Sequence, residues 1–445
     1  MPKITFMGAG STVFAKNVLG DCMMTPVLEN SDIALYDIDP VRLDESAAML
    51  EAINRNNGAK AKISKYLGTA QRKEALAGAH YVVNAIQVGG YDPCTITDFE
   101  IPKKYGLRQT IADTLGVGGV FRALRTIPVM MDFAQDMEEV CPDAWLLNYT
   151  NPMAMLVSFL QRQTDIRITG LCHSVQGTAQ MLERWLGLNA GELDYTCVGI
   201  NHQAFYLKLQ HDGKDMDPAL REAVKRPEVA GEEPVRIEVF RHLKYFITES
   251  SGHNSEYMAW FRKRPDLIEK YCTHGTGWNP GAHAYILDEY LGREDTWEKE
   301  YTDWLENGEI ELERGEEYAS NIFNAIFGDH TPYPFNANLR NNGYVTNIDR
   351  NACVEVPVIA DRTGIHTIDI HTLPQQLSVL VNNSAKIEEL AVQGAIDGDP
   401  EKIFAACLFD PLTSAVCSME EIHSMVQEML DKNAPYLTYF KSLKI

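Results

Sequence analysis

From residue 1 to about 195, short runs of apolar and β-branched residues alternate with longer stretches in which apolar positions recur at helical spacing. That alternation is the pattern of a parallel sheet covered on both faces by helices. It predicts strands over 3–7, 33–36, 81–85, 145–147 and 168–171. Each is followed by a residue able to build a site: Gly8, Asp37, Gln87 to Gly90, Asn148 and Cys172. Ligands of open α/β sheets bind beyond the carboxyl ends of the strands, so these scattered positions are expected to converge. From about residue 196 onward the alternation loosens into mixed strands near 193–198, 205–209 and 353–360, with helices near 234–247, 255–270, 384–409 and 418–431. The pattern divides the chain into a parallel-sheet domain over 1–195 and an α+β substrate-binding and oligomerisation region over 196–445. The glycine-rich segment 273–284 reads as a mobile surface loop.

The strongest local signal lies in residues 3–40. An apolar run ends in Gly8-Ala-Gly10-Ser11-Thr12, a helix-length segment follows, and a second apolar run ends in Asp37-Ile-Asp39-Pro40. Together these match a βαβ unit that holds a dinucleotide, which makes the first domain Rossmann-like. Gly8 permits the tight turn. Gly10 lets backbone amides approach a pyrophosphate at the positive end of the next helix, which Ser11 and Thr12 open. Asp37 stands where a carboxylate accepts hydrogen bonds from an adenosine ribose, and Gln87 follows the strand over 81–85 into the same crevice. Val13 replaces the third glycine of the fingerprint, and Asp39 reads as the N-cap of a helix beginning at Pro40.

Composition narrows the partners. At 445 residues, 45% hydrophobic and 23% charged, the chain has room for two domains sharing one cleft. A net charge of -22 disfavours nucleic acid and anionic membrane surfaces. Met1-Pro-Lys enters the first strand with no leader, and no apolar stretch is long enough to cross a bilayer, so a cytoplasmic protein is expected. Nine cysteines without paired spacing point to reduced thiols.

Cys172, in Gly170-Leu-Cys172-His173-Ser174, and His202, in Gly199-Ile-Asn201-His202, are each unremarkable alone, as core filler and as a hydrogen-bonded histidine. At the mouth of a nucleotide-binding sheet they can offer a thiolate and an imidazole to a divalent metal. Two protein ligands leave coordination positions open for vicinal hydroxyls, which the metal would orient and acidify. Asn148 and Asn151, in Asn148-Tyr-Thr-Asn151-Pro152, can fix substrate hydroxyls, or Asn151 can simply cap a helix. Asp113, in Ile111-Ala-Asp113-Thr-Leu-Gly116, reads on its own as a turn aspartate.

Taken together, the motifs resemble those of glycoside hydrolase family 4, the NAD- and metal-dependent glycosidases, and within it the α-galactosidases. The matching segments begin at Ile4, Ala85, Gln109, Leu147, Gly170, Gly199 and Ile247 and run in the family order over roughly the first 260 residues, with looser similarity around Arg340 and Cys353. The Cys-His-Ser triplet at 172–174 is the variant associated with α-galactosidases. The resemblance implies a redox route to hydrolysis, an exception to the two-carboxylate rule of glycosidases. Bound NAD+ would oxidise C3 of the sugar, a base would take the acidified C2 proton, and the aglycone would leave by elimination. Water addition and re-reduction would then complete the cycle.

On this resemblance Cys172 and His202 are the metal ligands and Mn2+ is the expected metal, although thiolate is a soft ligand for it. Tyr257 abstracts the C2 proton and Asp113 protonates the departing oxygen. Asn148, Asn151 and Arg340 bind the sugar, and His173 discriminates galactose. Relatives also imply a homodimer or homotetramer. Gly252 departs from the family at the place of a second glutamate, and similarity drifts after Tyr271 before returning at Asp288-Glu289-Tyr290. Tyr91-Asp92-Pro93-Cys94-Thr95 lacks the basic residue that sugar-phosphate enzymes carry there, which favours an unphosphorylated α-galactoside. The alternatives are an α-glucosidase or α-galacturonidase of the same family, and a malate- or lactate-type 2-hydroxy acid dehydrogenase. The last shares the βαβ plan and needs a paired arginine grip such as Arg122 and Arg125.

Overall fold

A computed structural model describes all residues except 59, 276–278, 280, 282, 288, 290–300, 302–313 and 316. Residues of the predicted 273–284 loop and of the Asp288-Glu289-Tyr290 segment therefore lie in part outside the described residues.

Five of the strands fall where the apolar runs place them: β1 (Lys3–Met7), β2 (Asp32–Asp37), β4 (Tyr81–Asn84), β5 (Trp145–Asn148) and β6 (Arg167–Gly170). With β3 (Lys62–Leu67) they form a parallel array in the order β3-β2-β1-β4-β5-β6. This is the dinucleotide-binding order, and it opens a crevice where the chain reverses direction between β1 and β4. The remaining strands are β7 (Asp194–Ile200), β8 (Gln203–His211), β9 (Lys214–Asp215), β10 (Phe246–Ile247), β11 (Tyr333–Arg340), β12 (Cys353–Asp361) and β13 (Gly364–Thr367). They do not build a second sheet. β11 lies antiparallel beside β6, with Asn338 opposite Gly170, and β12 joins β11 to β7, with Glu355 opposite Gly199. One sheet thus carries both halves of the chain. The main apolar core likewise includes Phe6, Leu146 and Phe121 from the first half and Val354, Val356 and Leu377 from the second.

The helix ends explain where the predicted spans broke. Asp39 caps the helix Pro40–Asn56, its carboxylate accepting from Val41 N at 2.9 Å and Arg42 N at 3.1 Å. The stretch expected as helix to 247 stops at Leu243, because Lys244 takes a left-handed φ of 75° before β10. The stretch 255–270 is two helices, Ser251–Tyr257 and Pro265–Tyr271. The stretch 384–409 is also two, Gln375–Asp397 and Pro400–Phe409, divided at Gly398 and Pro400. Among the described residues no helix is long and apolar enough to cross a membrane.

Candidate active site

The crevice at the ends of β1 and β4 is shaped by two glycines. Gly8 has φ 89°, and its amide and that of Ala9 both donate to Tyr36 O at 3.0 Å. Gly10 N donates to Asp37 Oδ2 at 2.6 Å, and a Cβ at Gly10 would lie 2.8 Å from that oxygen. Asp37 Oδ1 accepts from Ile38 N and Asp39 N, so its carboxylate is held facing the loop. The helix Thr12–Met23 starts directly after, and Ser11 places no side-chain cap on its first amides. Uncapped amides at the positive end of a helix, reached over side-chain-free backbone, fit the pyrophosphate of a dinucleotide. Thr12 is buried, with Oγ1 accepting from Ser46 Oγ at 3.0 Å, and Gln87 is exposed at the opposite lip, donating to Thr95 Oγ1 at 3.0 Å.

Beside this crevice Cys172, just beyond β6, meets His202, in the turn between β7 and β8. Glu249 joins them from the segment after β10, and sulfur, imidazole nitrogen and carboxylate oxygen lie within 4.8 Å of one another. His202 Nε2 faces Glu249 Oε2 at 3.5 Å, whereas Nδ1 lies 3.1 Å from Thr114 Oγ1 and 3.3 Å from the Tyr257 hydroxyl. An imidazole whose second nitrogen is hydrogen-bonded away from the donor cluster is the arrangement of a metal-bound histidine. The thiol, imidazole and carboxylate fit a divalent cation. Burial alone would lower the His202 pKa, but Cys172 and Glu249 outweigh it and hold it up to about 10 in the bare protein.

Tyr257 is fully buried, and burial, then Asp113 and Glu256, push its phenol well above the ordinary value. The Glu256 carboxylate accepts from the amides of Thr110, Ile111 and Ala112 at 2.7, 3.1 and 2.9 Å, which fixes the loop that delivers Asp113 and Thr114. Asp113 accepts from Thr114 Oγ1 at 2.7 Å and from Asn151 Nδ2 at 3.2 Å. Burial would raise its pKa, yet His253, Arg122 and His202 together hold it below the usual carboxylate range. Its hydrogen bonds to Thr114 and Asn151 hold the Asp113 carboxylate in the site beside Tyr257 and His202.

Other expected residues divide. Asn151 is not a helix cap, since Pro152 occupies that position before the helix Met153–Gln163, and its Oδ1 is buried without a hydrogen-bond partner among the described residues. Asn148 is fully buried. Its amide accepts from Asn84 Nδ2 at 2.8 Å and donates to Thr150 O at 2.9 Å, so it builds the floor under the site and offers nothing to a sugar. Arg340 is corrected outright: β11 runs antiparallel to β6, which puts Arg340 two residues below the Asn338–Gly170 pairing, and its guanidinium donates to Asn351 Oδ1 at 2.6 Å. His173 is half exposed, its Nε2 2.7 Å from Glu317 Oε2 and its ring stacked on Tyr149 and edge-on to Phe14 of the cofactor helix. The arginine pair needed by a dehydrogenase is also broken. Arg125 is buried and spends its guanidinium on both Asp98 oxygens and on Asn433 Oδ1, while among the described residues Arg122 donates only its Nε, to Asn151 O at 3.3 Å.

The description of family 4 glycosyl hydrolases matches residues 3–188, and that of the family's C-terminal domain matches 197–413. The chain belongs to the family 4 glycosyl hydrolases. It is 44% identical over 448 residues to an α-galactosidase of Bacillus subtilis (strain 168), covering 99% of this chain and 100% of that protein. It is 35% identical to an α-galactosidase of Rhizobium meliloti (strain 1021), covering 98% of this chain and 89% of that one. Its fold is shared with a 6-phospho-α-glucosidase from gut microorganisms solved in complex with NAD and Mn2+, at a TM-score of 0.81 and 18% identity over 98% of both chains. Two residues of this cluster were not singled out by spacing: Glu249 and His253. Glu249 lies in the matching segment that begins at Ile247, but nothing in that segment says that its carboxylate turns toward Cys172 and His202.

Proposed function

We propose that the protein is an α-galactosidase that hydrolyses unphosphorylated, melibiose-like α-galactosides, using bound NAD+ and a divalent metal such as Mn2+. The observation that carries this reading is the meeting of Cys172, His202 and the Tyr257 hydroxyl beside the glycine-lined crevice. Two relatives above 30% identity are α-galactosidases, and 91–95 offers no cation for a sugar phosphate. Gly8, Gly10, Ser11, Thr12, Asp37 and Gln87 would hold NAD+, and Cys172 and His202 the metal. When bound, the two supply reversible hydride acceptance at C3 and Lewis acidity beside it.

The chain's own groups do the rest. With its phenol brought down by the positive charge the site holds when loaded, Tyr257 Oη takes the C2 proton, and His202 Nδ1, which also meets Thr114 Oγ1, orients that oxygen. Asn151 offers its free Oδ1 to a sugar hydroxyl, and the Asp113 carboxylate holds the opposite end of the same amide. Asp113, held beside the Asn151 amide, is the group assigned to protonate the departing oxygen, and the half-exposed His173, paired with Glu317, is assigned to discriminate galactose. The same reading makes the protein a cytoplasmic homodimer or homotetramer, in keeping with nine free buried thiols and with its family resemblance.

The test is hydrolysis of p-nitrophenyl α-galactoside, which should require NAD+, Mn2+ and a thiol reductant together. Full activity after both cofactors are stripped would overturn the reading. One observation favours an α-galacturonidase as the second reading: Arg122 is half buried beside Asn151, and its terminal guanidinium nitrogens make no hydrogen bond among the described residues. A planar cationic fork suits a sugar carboxylate.

A further inference from the structure

We propose that Glu249 is the third protein ligand of the divalent cation, and that His253 positions it for that task. The proposal rests on the metal-dependent reading above and adds to it a ligand that fixes which metal the site prefers.

Glu249 is not placed there by regular structure. It follows β10 with a φ of 68°, in the left-handed region that a glutamate seldom adopts, and the next residues enter the helix Ser251–Tyr257. Such backbone persists where surrounding contacts over-determine it and is concentrated at functional sites. Here the contacts are specific. Glu249 Oε1 lies 3.2 Å from His253 Nδ1, on a ring that also meets Ser250 Oγ at 2.8 Å. The other oxygen, Oε2, is the one 3.5 Å from His202 Nε2. One oxygen is therefore tied back while the other faces the gap shared with Cys172 Sγ, the disposition of a monodentate ligand held by an outer partner. The His253 ring stands edge-on to His202, with centroids 5.0 Å apart, and its Nε2 is 3.9 Å from Asp113 Oδ1, so it links the carboxylates on the two sides of the site.

The chemistry of the donor set supports the same assignment. A thiolate and an imidazole alone are a soft-to-borderline pair that favours zinc over manganese. A carboxylate oxygen, together with the hydroxyl oxygens of a sugar, turns the set toward a harder ion. It also balances charge, because thiolate and carboxylate together carry two negative charges against a divalent cation, with the imidazole neutral.

The experiment titrates metal-free full-length protein with Mn2+ and with Zn2+, following free Mn2+ by electron paramagnetic resonance and Zn2+ by competition, in wild type, Glu249→Gln, Glu249→Asp, His253→Gln and Cys172→Ser. Glu249→Gln is expected to weaken Mn2+ about tenfold or more and Zn2+ less, and Glu249→Asp to recover part of the loss. In the Co2+-loaded form of Glu249→Gln the sulfur-to-cobalt charge-transfer band should persist, since Cys172 remains bound. NAD+ binding reports whether each variant is folded. If Glu249→Gln does not fold, His253→Gln carries the test and should lower Mn2+ affinity about tenfold. Wild-type Mn2+ affinity in folded Glu249→Gln, or in His253→Gln where that variant stands in, overturns the assignment. If Cys172→Ser loses the metal in that case, the metal-dependent reading stands without Glu249. If the wild type binds no divalent metal, the underlying reading itself fails.

Discussion

Replacing Tyr257 by Phe separates chemistry from stability with little ambiguity. The ring is fully buried, and phenylalanine keeps its volume, so no cavity forms. What is lost is the hydroxyl, which lies 3.3 Å from His202 Nδ1. One neutral hydrogen bond is worth about 1 kcal/mol of stability. With an unfolding entropy of ~2.1 cal/mol/K per residue, a chain of 445 residues should lose roughly 1 °C of Tm. The rate should suffer far more, because a positioned general base contributes about 10² to 10⁴ in rate, or roughly 3–5 kcal/mol of barrier. The assay is initial-rate hydrolysis of p-nitrophenyl α-galactoside with NAD+ and Mn2+ present, alongside exchange of a C2 deuterium label with solvent followed by mass spectrometry. Wild type should exchange or slow with the label, and the variant should do neither at a measurable rate. A variant within tenfold of wild type, or one that still exchanges C2, would show that Tyr257 is not the base.

Three further perturbations test other parts of the site and fold. Gly10→Ala would push a methyl to 2.8 Å from Asp37 Oδ2, a carboxylate pinned by three amides, so NAD+ should bind at least about tenfold more weakly by calorimetry, and unchanged affinity would remove the crevice from the cofactor site. Arg122→Ala should raise KM for the galactoside about tenfold, ~1.4 kcal/mol, with kcat little changed. A much larger loss confined to the galacturonide would instead favour the second reading. Glu388 is buried with Oε2 unpartnered, and burial pushes its carboxyl up to about 8, against an unfolded value near the ordinary one. The native state therefore keeps this proton longer than the unfolded chain, and stability is lost as pH rises through about 8. Glu388→Gln should then match wild type in Tm at pH 5 and exceed it at pH 9, and an equal difference at both would refute the sign.

How far the sequence speaks can be seen strand by strand. β1, β2, β4 and β5 are largely apolar runs because both faces of a parallel sheet are covered, and such runs stand out, while β6, Arg-Ile-Thr-Gly, is legible mainly through the spacing of its neighbours. β3 reads Lys-Ile-Ser-Lys-Tyr-Leu, an exposed edge strand whose lysines guard against further pairing and erase the apolar signal. The insertion of β11 and β12 into the same sheet depends on contacts such as Asn338 with Gly170, far apart in the chain, and local periodicity carries no trace of them. The site shows the same division in finer grain. The strand-end rule finds the mouth of the sheet, but it does not say which way a side chain faces there. Asn148 is the last residue of β5 and turns down into Asn84, while Asn151, three residues on, turns into the cleft toward Asp113. Arg340 fails for a related reason: its strand runs the other way, so the end of β11 lies at the bottom of β6. Glu249 is the most instructive case, because its place in the donor cluster comes from one left-handed backbone angle and one histidine contact. Neither is encoded by spacing, and both are fixed only once β10 and the helix Ser251–Tyr257 have packed against β8 and the loop at 110–112.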